Sequence, residues 1–144
     1  MARRRYETVK DRQNESKALN ILLQKLGSRY SWDKKGNRKG LDAILYKDDI
    51  KHCLIEVKTR HPRFLPLAKE SGYILAKHKW NKLVTLDARL LVYWKDKELY
   101  ALRPSKTSDV TFSTGGRTVQ TRDEWDIEQM AVIPWEKFSL MGGE

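Results

Sequence analysis

Between Leu41 and Lys58 the chain reads as two β-strands joined by a short polar break, and this hairpin limits the fold more than any other segment. Leu41-Asp-Ala-Ile-Leu-Tyr-Lys47 forms the first run, Asp48-Asp49-Ile50 interrupts it, and Lys51-His-Cys-Leu-Ile-Glu-Val-Lys58 returns. A three-residue loop pairs Lys47 with Lys51, and the same register sets Ile44 opposite Leu54 and Asp42 opposite Glu56. Side chains alternate along a strand, so Asp42, Ile44 and Tyr46 then share a face with Leu54, Glu56 and Lys58. A two-residue loop would set Asp42 opposite Ile55 and send the acids to opposite faces. Asp48-Asp49 is a weak signal for such a turn, so the longer loop is expected.

Cys53, Leu54, Ile55 and Val57 make an apolar run broken only by Glu56. That pattern belongs to a central strand, where a carboxylate loses most of its water and needs a cation or a hydrogen-bonding partner. Two carboxylates and a lysine on one face suit a hard divalent cation such as Mg²⁺, which takes oxygen ligands and keeps several waters. Asp42 and Glu56 would supply the ligands, and Lys58 would orient a nucleophile or stabilise charge building on a phosphorus centre. The competing interpretation is a solvated Glu-Lys pair of little energetic weight, common in a chain that is 33% charged. The apolar setting of Glu56 favours the metal site.

A chain of 144 residues fits one domain, and its formal net charge of +10 with a pI near 9.7 favours a polyanionic partner. Nucleic acid is preferred over acidic membrane. No lysine-rich amphipathic helix and no apolar run near bilayer length is present. Cys53 is the only cysteine, which excludes an intramolecular disulfide and a thiolate zinc site and points to a reducing compartment, the cytoplasm. Arg3, Arg4 and Arg5 lie in a basic arm over about residues 1–10, without the apolar stretch of a signal peptide, and are candidates for gripping backbone phosphates.

Helical spacing runs from about Asp11 to Leu26 through Ala18, Leu19 and Leu22, with Gly27 as terminator. Glu15 lies on the apolar stripe of that helix. It either reaches the metal site or serves as an ordinary first-turn glutamate. A short strand at 28–32 leads into Asp33-Lys-Lys-Gly-Asn-Arg-Lys-Gly40, whose basic residues, Lys39 among them, precede Asp42 and make a candidate phosphate-contacting loop. Residues 62–70 read as an irregular connection, and a helix is expected from Ser71 or Gly72 through Leu86. Lys77, Lys79 and Lys82 give that helix a basic side as candidates to face a nucleic-acid backbone, and Trp80 reads as a core aromatic more readily than as a base-stacking platform. Arg89–Trp94 and Glu98–Arg103 form a second hairpin, residues 105–126 a long polar loop, and residues 128–134 a last edge strand.

At these residues the chain resembles the PD-(D/E)XK nuclease superfamily over roughly residues 11 to 103. The resemblance implies an α/β fold with a restriction-endonuclease-like core, a central mixed β-sheet flanked by α-helices. It implies Asp42 as the first acid, Glu56 and Lys58 as the second acid and lysine, and Glu15 as the first-helix glutamate used by many members. Leu41 stands where the motif often has proline. By the same resemblance Asp42, Glu56, the Val57 carbonyl and Glu15 hold Mg²⁺, with Mn²⁺ able to substitute. The implied activity is hydrolysis of DNA by an endonuclease, acting in the host cytoplasm if phage-encoded. Two alternatives stay open: a Holliday-junction resolvase of the same fold, which requires a homodimer presenting two sites, and a non-catalytic nucleic-acid-binding or structural protein. Fold analogy does not choose among them.

Overall fold

The computed structural model describes residues 9–34, 40–114 and 129–143. Helix α1 (Val9–Leu26) precedes three strands, β1 (Tyr30–Asp33), β2 (Ala43–Lys47) and β3 (Ile50–Arg60). A 3-10 turn at Pro62–Phe64, helix α2 (Leu65–Ser71), strand β4 (Tyr73–Ala76) and helix α3 (Lys77–Thr85) then cross over to β5 (Arg89–Trp94). Strands β6 (Glu98–Leu102), β7 (Thr111–Thr114), β8 (Gln129–Ile133) and β9 (Ser139–Gly143) complete the described elements. The class is α/β with a mixed sheet.

Six strands form the main sheet in the order β1-β2-β3-β5-β6-β9, with β3 and β5 parallel and the other neighbours antiparallel. Its two faces bury separate cores. On one, Ala18, Leu19 and Leu22 of α1 pack against Ala43, Leu45, Cys53, Ile55, Val57, Leu91 and Tyr93. On the other, Ile44, Leu54, Leu90, Val92 and Trp94 meet Leu65, Ala68, Trp80 and Leu83 from α2 and α3, together with a small sheet ordered β4-β8-β7. Alternation along β3 therefore sends Cys53, Ile55 and Val57 toward α1 and leaves Leu54, Glu56 and Lys58 on the α2/α3 face. Gly27, at φ +103, ends α1 as its sequence position suggested.

Several expectations need correction. The β2–β3 loop has two residues, not three: Lys47 pairs with Ile50, and Asp48 and Asp49 both adopt positive φ, as a type I′ turn requires. A register shift beside Leu45 then restores the pairing of Leu45 with Cys53, Ile44 with Leu54 and Ala43 with Ile55. The expected register at the acids thus arises from a tight turn plus a bulge. Residues 65–71 are helical, residues 73–76 are a strand, and α3 begins only at Lys77. Strand β7 lies within the segment expected to be a loop, and β8 is the centre of the small sheet, not an edge.

Candidate active site

Asp42 stands at the mouth of the β2–β3 hairpin, one residue before β2 begins. Its N–H donates to the Ile55 carbonyl at 2.9 Å, and its Oδ2 accepts the Val57 N–H at 2.7 Å. The carboxylate thus continues the ladder past the end of β2. Burial, then the nearby charge of Glu56, pushes the Asp42 carboxyl up to about 7, and Glu15 adds to the rise. The acids expected to be neighbours therefore act on each other electrostatically.

Glu56 sits in the middle of β3 and is 4% exposed. Its Oε2 lies 3.4 Å from Lys58 Nζ and 3.3 Å from Lys79 Nζ, whereas Oε1 is buried with no hydrogen-bond partner among the described residues. An orphaned carboxylate oxygen in a core is costly, and native proteins rarely retain one without a missing partner. Burial lowers the Lys58 pKa, opposed by the charge of Glu56.

Glu15 comes from α1, on the far face of the sheet. Its Oε1 is held by Lys34 Nζ at 2.5 Å, and its charge still reaches Asp42. Among the described residues no three carboxylate, histidine or cysteine side chains converge as a metal cage. What is present is a pair of hard oxygen donors with one unpartnered oxygen, which fits a cation that keeps most of its own waters.

Of the basic residues singled out from the sequence, Lys79 comes directly onto Glu56. Lys82 places its Nζ against Gly40, 2.9 Å from where a Cβ would stand. Lys77 turns elsewhere: its Nζ donates to Gln129 Oε1 at 2.9 Å and lies 5.1 Å from the centroid of the Phe112 ring. Trp80 is buried in the core. Arg3, Arg4, Arg5 and Lys39 lie outside the described residues. The sequence marked Lys79 as one of a basic row, but its contact with Glu56 depends on how the crossover seats α3, which no local spacing reveals.

Buried Glu56, half-buried Asp42 and Lys58 thus come together on adjoining segments of a mixed sheet, the arrangement expected of a PD-(D/E)XK nuclease. The family described as "Phage putative PDDEXK endonuclease" matches residues 1–141, and the chain belongs to this phage-type PD-(D/E)XK nuclease family. No curated protein and no solved structure matches the chain significantly. No helix among the described residues is long and apolar enough to cross a membrane.

Proposed function

We propose that the chain is a Mg²⁺-dependent endonuclease hydrolysing DNA phosphodiester bonds, acting as a single restriction-endonuclease-like domain with a basic N-terminal arm. The observation that carries the reading is Glu56: buried in β3, facing Asp42 and Lys58, with one oxygen lacking a partner among the described residues. Asp42, Glu56 and the Val57 carbonyl would hold the cation, with Glu15 supporting them. When bound, such a cation supplies Lewis-acid polarisation of the phosphate and a more acidic attacking water.

The residues of the chain supply the rest. Asp42 is fixed by the Val57 N–H, so its carboxylate does not have to be ordered on binding. Lys58, on a rigid central strand and partly shielded from water, positions the nucleophile and offsets charge developing on the phosphate. Lys39, Lys77, Lys82 and the arginines of the arm would hold the DNA backbone.

Supercoiled plasmid incubated with Mg²⁺ should be nicked or linearised, and excess chelator should abolish this. Lys58→Ala is expected to lower the rate by about a hundredfold or more, the scale of removing one transition-state donor. A Lys58→Ala enzyme that cuts at the wild-type rate would remove Lys58 from the mechanism.

A further inference from the structure

The site holds one cation more than the hairpin provides. Lys79 arrives from α3, across the sheet face, and stands 3.3 Å from the same Glu56 oxygen that Lys58 approaches to 3.4 Å. The Lys79 and Lys58 side chains are 32% and 23% exposed, and the Glu56 side chain between them is 6% exposed. An ordinary surface ion pair leaves its carboxylate in water. Here the carboxylate is enclosed, and its second oxygen has no partner among the described residues.

Charge counting gives the consequence. Among the described residues, ionised Asp42 and Glu56 are matched by Lys58 and Lys79, Glu15 and Lys34 pair with each other, and Arg60 adds further positive charge beside Lys58. A divalent cation added alone would leave the cluster with a large positive surplus in poorly hydrated surroundings, where like charges repel strongly. A phosphodiester brings the missing negative charge. Lys79 has a flexible four-carbon stem, so its ammonium can leave Glu56 for a phosphate oxygen without movement of α3. Lys82, one helical turn further on, lies against Gly40 beside Asp42, and extends the same positive edge along the acids.

We propose that Lys79 occupies the place of the divalent cation on Glu56 and transfers to a substrate phosphate oxygen when the cation binds, so that cation and DNA load together. The inference rests on the nuclease reading of the same acids. In this scheme Lys79 acts first on Glu56 and then on the substrate itself. Thermodynamic linkage requires that DNA strengthen cation binding by the factor with which the cation strengthens DNA binding.

The test is calorimetric titration of Ca²⁺ into the full chain, alone and with a short DNA duplex shown by gel to remain intact. Wild type should bind Ca²⁺ weakly alone and about tenfold more tightly with duplex, a typical size for coupling between sites. Lys79→Met should bind Ca²⁺ alone about tenfold more tightly than wild type and gain little from duplex, because the competing charge is gone. Lys79→Arg should restore the wild-type pattern, and Lys79→Gln is read in place of the methionine variant if the latter melts early. Lys79→Met binding Ca²⁺ no more tightly than wild type, or keeping the full gain from DNA, would overturn the proposal. Glu56→Gln separates the two levels of inference. If it binds Ca²⁺ as wild type does, the cation lies elsewhere and the nuclease reading falls with the proposal. If it abolishes binding while Lys79→Met changes nothing, the role of Lys79 alone is lost.

Discussion

Asp42 is the side chain whose state depends most on conditions. Its carboxyl, raised to about 7 mainly by burial, lies above the unfolded value of about 3.9. Between those values the folded chain holds a proton that the unfolded chain releases. The resulting stability is fully present below about pH 4 and is lost as pH rises through about 7. Melting curves in chelator should therefore decline across this range more in wild type than in Asp42→Asn, whose amide oxygen still accepts the Val57 N–H. Matching pH profiles for the two proteins would show that the buried charge is not felt. Because a cation needs the ionised acid, cleavage should in turn rise with pH up to about 7 and then level off. The burial of Glu56 was legible in the sequence, since it alone interrupts an otherwise apolar strand. The unsatisfied oxygen was not, because it depends on everything packed around it.

At the level of elements, the hairpin shows how a correct register can come from an incorrect turn. Asp48 and Asp49 support the left-handed conformations of a tight turn because Arg29 clamps Asp48 through Nε at 2.9 Å, while the Asp48 N–H reaches the Arg29 carbonyl at 2.8 Å. Arg29 lies 19 residues away, beyond any local turn rule. The same problem recurs after α3. Asp87, at φ 50, ends that helix where glycine is usual, with Ala88 N–H bonded to the Leu83 carbonyl and Arg103 bidentate on the Asp87 carboxylate. The split of residues 65–85 into helix, strand and helix also escaped the sequence reading, because Ile74, Leu75 and His78 mimic helical spacing. Gly72 makes the split: its φ is +95, and a Cβ there would lie 2.9 Å from the Ile133 carbonyl oxygen. Gly72→Ala should destabilise the protein by about 1–3 kcal/mol, because φ 95 with ψ 164 is a backbone that essentially only glycine adopts, read as a lower urea midpoint with an unchanged slope. An unaltered midpoint would mean that the α2–β4 joint relaxes freely.

For the whole molecule, the charge of +10 sets the response to salt. DNA affinity measured with Ca²⁺ should fall linearly in a log-log plot against salt, with a slope reflecting the phosphates neutralised. Replacing Arg3, Arg4 and Arg5 together by alanine should flatten that slope if the arm engages backbone phosphates, and an unchanged slope would show that it does not. Composition alone pointed to the same polyanion that membership of a nuclease family implies. The second sheet was not legible, because β8 pairs with β4, more than 50 residues earlier, as well as with β7.

The parallel pairing of β3 with β5 has a consequence for how the protein comes to life. Asp42, Glu56 and Lys58 belong to one hairpin, whereas Lys79 reaches them from the long crossover between β3 and β5, so the local contacts should form ahead of that non-local one. A growing polypeptide therefore carries bare acids before it carries their guard. If Lys79 plays the part assigned to it, a half-made chain would take up metal without waiting for DNA, and discrimination would emerge only with the final topology.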